Sequence, residues 1–154
     1  MANLFPDDVS VITADPIEET VEIKFGRSYA FDFAKGDFKV SPSGKVIETE
    51  GFDAWVEWCM KAMQTARYRY LIYSRLHGQE FDDLIQRHLT RGGNESEIQR
   101  ITTETLMRDP RTASVDNFTF NWKDDAVYFE CDITSVLGEN ARVGNTVEVT
   151  ENNG

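Results

Sequence analysis

Two groups of acidic side chains in this chain could carry out acid–base or metal chemistry. Glu80, Asp82 and Asp83 lie close together, and paired carboxylates can serve as acid and base in glycoside hydrolysis. Acids at the start of a helix are also favoured by the helix dipole, which explains the same cluster without catalysis. A small hydrolase of the muralytic type therefore stays open as an alternative function.

The second group, Asp116, Glu130 and Asp132, suggests a metal nuclease on a β-hairpin. That pattern needs a lysine two residues after the second acid, and Asp132 occupies that position. The two histidines, His77 and His88, lie near no serine elbow and no cysteine, and a nucleophile needs a neighbouring base. We therefore expect no catalytic residue, no metal site and no cofactor.

The triplet Asp109-Pro110-Arg111 stands between a helical pattern and a strand pattern in ETLMRDPRTASVDNFTF. Pro110 predicts the end of the helix, because the residue before a proline resists the helical conformation. It also places Arg111 on a rigid corner, where its planar guanidinium suits carboxylates of a partner. An intramolecular cap or salt bridge between Asp109 and Arg111 explains the same residues, so both interpretations stay open.

Length and charge limit the class of protein. The chain has 154 residues and a formal net charge of −11, which fits one domain that repels nucleic-acid phosphates and anionic lipid. No apolar run approaches the roughly 20 residues of a membrane helix, and the first residues are not those of a signal peptide. Cys59 and Cys131 are expected to be buried free thiols. We expect assembly in a cytoplasm.

The N-terminal third divides into an arm and a β region. Residues 1–19 are acidic and contain two prolines, which predicts an extended arm that lies on another chain or frays. Residues 20–50 alternate between apolar and polar positions and predict a hairpin across Gly26. Two further short strands are expected on either side of the turn at 41–44.

About three helices are expected in the middle of the chain. The first follows Asp53 as N-cap, with an apolar stripe at Trp55 and its helical neighbours. An extended segment near residues 66–78 and a short helix at FDDLIQRHL come next. The glycines at 92–93 are expected to break that helix, and Asn94 is expected to cap the third one.

Alternating apolar residues predict two strands and their turn within residues 115–136, and a last strand within residues 143–149. One face of these strands is charged and the other apolar, so we expect the helices to cover the apolar face. The expected fold class is α+β: an N-terminal β hairpin region, about three helices, and a C-terminal antiparallel sheet packed on the helices. Residues 51–154 form its core.

The segments TARYRYLIYSRLHGQEFDDLI and ESEIQRITTETLMRDPRTASVDNFTF, in this order and spacing, resemble XkdS-like proteins of Bacillus-type prophages and contractile tails. The opening MANLFPDDVS and DPIEETVEIKFGRSYAFDF resemble the same family. Over roughly residues 52–150 the chain is more distantly similar to the lysozyme-like wedge proteins, or sheath initiators, of contractile phages, bacteriocins and type VI secretion. The wider family carries a Glu-Pro-Arg signature where this chain has Asp109-Pro110-Arg111.

The resemblance implies a structural protein of a contractile-tail baseplate rather than an enzyme. It implies that the triplet docks onto the wedge and that the C-terminal strands accept strands of the first sheath ring, which templates sheath assembly. The expected partner-binding residues are Asp109, Pro110, Arg111, Val143, Val147 and Val149. Wedge proteins and the tail sheath protein are the implied partners, with tube or hub proteins as further candidates, and with no nucleic acid and no membrane. An unrelated acidic binding module is the other alternative.

Overall fold

The structure, a computed structural model, describes residues 22–65 and 77–149, apart from the side chain of Ile85. The arm at 1–19 and most of the extended segment predicted near 66–78 lie outside the described residues. The predicted α+β class is confirmed: short N-terminal strands precede the helices, and a three-stranded antiparallel sheet follows them. No helix of the described residues is long and apolar enough to cross a membrane.

The N-terminal β region consists of two small two-stranded sheets. Strand β1 (Arg27–Tyr29) pairs antiparallel with β4 (Glu48–Glu50), and β2 (Phe31–Asp32) pairs with β3 (Asp37–Phe38). The predicted hairpin across Gly26 is wrong, because residues 22–26 form no strand.

The tight turn lies instead between β2 and β3. The Asp32 carboxylate accepts hydrogen bonds from the amides of Ala34 and Lys35, so this acid builds the turn. Gly36 closes it with φ at 71°. The turn predicted at 41–44 is confirmed by the Val40–Val46 bridge that flanks it.

Helix α1 (Gly51–Gln64) begins two residues before the predicted cap, so Asp53 lies in its first turn. Helix α2 (Leu84–Arg87) is a single turn that continues a 3-10 turn at Phe81–Asp83. Helix α3 (Arg91–Met107) begins earlier than the sequence suggests.

The cap predicted at Asn94 is wrong, and so is the break at the glycine pair. The Thr90 hydroxyl caps α3 by accepting from the Gly93 amide at 3.2 Å, so 91–93 form the first turn. A Cβ on Gly93 would lie 3.2 Å from that hydroxyl oxygen and 3.3 Å from Leu89 Cβ. Asn94 is fully buried and donates to the Leu89 carbonyl at 3.2 Å.

The C-terminal sheet has the order β5-β6-β7, with β5 (Thr112–Lys123), β6 (Ala126–Ser135) and β7 (Asn140–Glu148). One face packs on the helices and forms the core, which contains these fully buried side chains: Trp55, Met63, Leu84, Ile98, Leu106, Val127, Phe129 and Ile133. The packing of the sheet on the helices is therefore as the sequence predicts.

The two cysteines belong to this core. Cys59 and Cys131 are buried and free, as expected. Burial raises the pKa of both thiols, that of Cys131 to about 12. They are therefore protonated, apolar packing groups at neutral pH.

We predict that Thr112→Val lowers the free energy of unfolding by about 1–3 kcal/mol, because a buried donor is left without an acceptor. The Trp55 indole N–H donates to the Thr112 hydroxyl at 3.0 Å, and both side chains are buried. Urea unfolding followed by tryptophan fluorescence measures the loss. Thr112→Ser keeps the acceptor and is the matched control. Equal stability of the Val and Ser variants would contradict the role of this bond.

Candidate partner-binding site

The predicted triplet forms a closed ion pair at the corner between α3 and β5. The Arg111 guanidinium donates to both carboxylate oxygens of Asp109, from Nε at 2.9 Å and from Nη2 at 2.6 Å. The Arg111 amide also donates to Asp109 Oδ1 at 2.9 Å. The two side chains are 14% and 7% exposed, so the pair is largely shielded from water and has the planar geometry that makes such pairs strong.

The same guanidinium reaches the N-terminal region. Arg111 Nη1 donates to the Phe25 carbonyl at 2.6 Å, and its Cζ lies 5.8 Å from the centre of the Trp58 ring. The Phe25 ring packs edge-on against Trp55. Arg111 therefore joins the segment before β1 to the helix-and-sheet core.

Of the three triplet residues, only Pro110 is exposed. Met107, three residues before it, is 43% exposed, and Val136 and Leu137, between β6 and β7, are 42% and 71% exposed. The Val136 amide donates to the Arg111 carbonyl at 2.9 Å, which brings the β6–β7 turn next to the triplet. We call Met107, Pro110, Val136 and Leu137 the apolar corner.

Among the described residues, strand β7 is an edge strand of this sheet, and its hydrogen bonds show which residues face outward. At its two ends, Ser135 N donates to Glu139 O, and Val149 N donates to Asp125 O. The register between β6 and β7 is continuous, and in an antiparallel ladder the facing residues alternate. Odd-numbered residues of β7 therefore direct their amides and carbonyls to β6.

The even-numbered residues direct their backbone groups away from the sheet. They are Asn140, Arg142, Gly144, Thr146 and Glu148. In the described part of the chain, none of these outward amides has a backbone acceptor. The Thr146 amide donates instead to the side-chain Oδ1 of the preceding Asn145 at 2.9 Å, and that asparagine also donates to the Met63 carbonyl on α1.

The structure places the three predicted valines on the inner side of this edge. Val143, Val147 and Val149 are at most 4% exposed and belong to the core, because alternate side chains of β7 face the helices. Their backbone groups are directed to β6. Any contact with a strand at this edge is therefore made by the even-numbered neighbours of these valines.

The other edge of the sheet, β5, is less regular. Its pairing with β6 shifts between Asp116 and Thr119, where Asn117 has φ at 53°. Bulges of this kind interrupt the row of groups that an added strand needs. Farther along, Trp122 donates to Glu95 on α3 at 2.8 Å. Strand β7 is therefore the more regular edge for strand addition.

A charged network on the outer face of the sheet centres on Arg142. Its guanidinium donates to Glu130 Oε2 at 3.1 Å, to Asp132 Oδ1 at 2.8 Å and to the Thr119 hydroxyl at 2.8 Å. Sequence reasoning missed this residue. The signal was present, because Arg142, Glu130 and Asp132 all fall on the polar side of the alternating pattern.

These contacts set the charge state of the two acids. The hydrogen bond from Arg142 is the main cause that lowers the pKa of Glu130, and a bond from Tyr128 adds to it. The Asn117 amide is the main cause that lowers the pKa of Asp132, with Arg142 second. Both acids are therefore ionised at neutral pH and share one arginine, which offsets one of their two charges and links the strands.

Gly144 makes room for part of this network. A Cβ there would lie 2.8 Å from the Phe129 carbonyl oxygen and 2.9 Å from the Tyr128 hydroxyl. That hydroxyl bonds to Glu130 at 2.9 Å. The glycine in the last strand thus lets Tyr128 lie across the sheet.

The acids considered for catalysis lie at the surface of two different elements. Asp82 and Asp83 are exposed in the 3-10 turn before α2, while Asp116 and Asp132 are cross-strand neighbours on the sheet. No group of three histidine, cysteine or acidic side chains in residues 22–65 and 77–149 could hold a metal ion.

The chain is a small α+β protein whose helix-backed sheet has, among the described residues, a regular edge at β7. A family profile matches residues 27–138 and identifies the family: the chain belongs to the contractile injection system sheath initiators. The resemblance seen in the sequence is therefore confirmed.

Two known proteins are similar to this chain. The chain is 31% identical over 111 residues to the phage-like element PBSX protein XkdS of Bacillus subtilis (strain 168), a match that spans 71% of this chain and 74% of that protein. The fold is similar, with a TM-score of 0.50 and 14% identity, to a chain in the cryo-EM structure of the anti-feeding prophage baseplate. That likeness spans 84% of this chain and 90% of the other.

We predict that Arg111→Ala lowers the free energy of unfolding by about 3–5 kcal/mol, because it leaves the buried Asp109 carboxylate unpaired. Faster hydrogen exchange in residues 22–29 is expected, since the bond to Phe25 is also lost. Chemical unfolding and exchange mass spectrometry measure both effects. Arg27→Ala breaks an exposed 3.9 Å pair and should change stability little. If the Arg111→Ala protein were as stable as the wild type, the Arg111 guanidinium would not be needed for folding and would be available to a partner in the wild-type protein.

We predict that Arg142→Gln raises the pKa of both Glu130 and Asp132 towards their ordinary values of 4.5 and 3.8. Because the folded-state pKa values are lowered, these acids stabilise the fold above about pH 5 and lose that contribution as pH falls through the lowered values. The variant should show a shallower loss of stability between about pH 5 and 3. Carboxyl-carbon NMR titration checks the values, and Lys123→Gln is the control. Unchanged pKa values in Arg142→Gln would refute the assigned cause.

Proposed function

We propose that this protein is a structural component of a contractile-tail baseplate that links the wedge to the first sheath ring and templates sheath assembly. The outer edge of β7, whose amides have no backbone acceptor among the described residues, is the observation that carries the proposal. Membership of the sheath initiator family supports it, and so does the likeness of the fold to a baseplate chain. The protein then resides in a virion or tail-like particle that is assembled in the cytoplasm of the host bacterium.

Strand addition is the proposed contact with the sheath protein. Nine residues of β7 extend for about 30 Å, at roughly 3.3 Å per residue. Their five outward residues offer amides and carbonyls that a sheath strand can pair with whatever its side chains. The core face is already filled, so the added strand extends the sheet without rearranging the core.

Docking on the wedge is proposed at the corner that the triplet builds. Asp109 and Arg111 hold this corner in shape through their ion pair, and Pro110 lies on its surface with the other apolar residues of the corner. An exposed apolar group on a rigid element is a common feature of interfaces. The triplet thus contributes to docking mainly by fixing the shape of the corner, with Pro110 as its direct contact.

The hydrolase alternative is disfavoured by the same geometry. Asp82 lies on an exposed turn next to Gln79 and Phe81, whereas a catalytic acid needs a shielded site that tunes its pKa. We propose that the protein is not an enzyme. A muralytic assay of the wild type and of the Glu80→Ala, Asp82→Ala and Asp83→Ala variants tests this. Lysis that disappears in one of them would establish the enzyme.

We predict that Thr146→Pro prevents sheath assembly while Thr146→Ala permits it. Both changes remove the same exposed side chain, but proline also removes an outward amide and blocks the approach of a strand. The melting temperatures of the two variants should be similar. Negative-stain microscopy of induced particles gives the fraction of baseplates that carry a sheath. Equal sheath assembly by both variants would exclude strand addition at β7.

A further inference from the structure

We propose that the strand which completes β7 is basic at the Glu148 end, with a lysine or arginine directed to each face of the extended sheet. This inference rests on the proposed function and adds the chemistry and the register of the partner strand. It is carried by two depressions that flank one end of the bare edge, and by the distribution of charge along β7.

The two depressions lie on opposite sides of the edge and share Thr146 and Glu148. The one on the helix side has a volume of about 440 Å³ and is also lined by Gln64, Gln79 and Asp82. The one on the outer face has a volume of about 620 Å³ and is also lined by Lys123, Asp124, Asp125 and Tyr128. A strand paired with β7 would direct successive side chains alternately into the two depressions.

The acids at this end have no ion-pair partner among the described residues. Asp82, Asp124, Asp125 and Glu148 are all exposed, and Lys123 is the one basic side chain among the described residues that line either depression. Farther along the strand, Arg142 offsets one of the two negative charges of Glu130 and Asp132. At the Glu148 end, four acids face one base among the described residues that line the two depressions, so this end of β7 is strongly negative.

This charge distribution favours one kind of partner and one register. Two adjacent basic side chains of the added strand point to opposite faces of the sheet. One enters the helix-side depression and meets Asp82, and the other enters the outer depression and meets Asp124 and Asp125. Glu148 can contact either of them. Acidic strands are repelled at this end, which also opposes pairing of two copies of this chain there.

The test must exclude one competing occupant, a segment of the same chain. Residues 66–76 include Arg67, Arg69 and Arg75 and connect Thr65 with His77, two residues before Gln79, which lines the helix-side depression. The isolated full-length chain distinguishes the two cases. Slow hydrogen exchange of the outward amides of Gly144 and Glu148, without any partner, would assign the edge to the chain itself and overturn the proposal.

The test uses the full chain and three labelled nine-residue peptides that alternate threonine and valine around a central pair. The pair is Lys-Lys, Gln-Gln or Glu-Glu. Fluorescence anisotropy at 50 and 300 mM NaCl measures affinity, and amide exchange by NMR locates binding. We expect the Lys-Lys peptide to bind roughly three- to tenfold more tightly than Gln-Gln at low salt, with less difference at high salt.

Charge variants identify the acids responsible. The double variant Asp82→Asn with Glu148→Gln should abolish most of the preference for Lys-Lys. Glu139→Gln removes an exposed acid at the opposite end of β7 and should leave the preference unchanged. Asp124→Asn with Asp125→Asn tests the outer depression alone, and asparagine tolerates the positive φ of 54° at position 124.

Failure of this inference can be told from failure of the proposed function. Equal binding of the Lys-Lys and Gln-Gln peptides at the β7 amides, or no Lys-Lys binding at millimolar concentration, overturns the basic preference. If Thr146→Pro still prevented sheath assembly, the proposed function would stand without the basic preference. If Thr146→Pro had no effect on sheath assembly, both the basic preference and strand addition at β7 would be refuted.

Discussion

One-sided burial of the C-terminal sheet is the constraint on which the rest of the structure depends. The helices cover one face, so every second residue of β6 and β7 is fixed in the core, as Phe129, Ile133 and Val147 show. A slip of one residue would bring polar groups into that core. The register is therefore fixed, and with it the identity of the backbone groups that face outward from β7.

The ion pair of Asp109 and Arg111 extends this constraint to the N-terminal region. A helix that ends next to a strand needs a stable corner, and the pair provides it while Arg111 also binds the Phe25 carbonyl. The small β region, whose own sheets are only two strands wide, is thereby attached to a core that it could not form alone. The corner and the edge of β7 are connected through the same sheet, because the β6–β7 turn bonds to Arg111.

The sequence predicted the parts of this architecture that follow from periodicity. Alternation located the strands of the C-terminal sheet, and the apolar stripe at Trp55 located α1. The misplaced features depend on single local contacts: the Asp32 carboxylate builds a turn that the Gly26 pattern did not reveal, and the Thr90 hydroxyl outcompetes Asn94 as a cap. At the site, the pairing of Asp109 with Arg111 was one of two interpretations that the residues left open. Val143 and Val147 were correctly placed on the last strand, and Val149 lies one residue beyond it. Their burial was not recognised, because at a sheet edge the exposed residues are the neighbours of the core residues.

The cap on the Thr146 amide has a consequence for self-association. The Thr146 amide donates to Asn145 Oδ1, and an incoming strand must break this hydrogen bond before it can accept from the amide. Strand addition therefore replaces one hydrogen bond with another at this position. If two copies of this chain paired through β7, the hydrogen bond between Asn145 and the Thr146 amide would have to break in both copies. A foreign strand requires it to break in one. The bond between Asn145 and the Thr146 amide therefore makes the pairing of two copies cost one more broken hydrogen bond than the addition of a foreign strand.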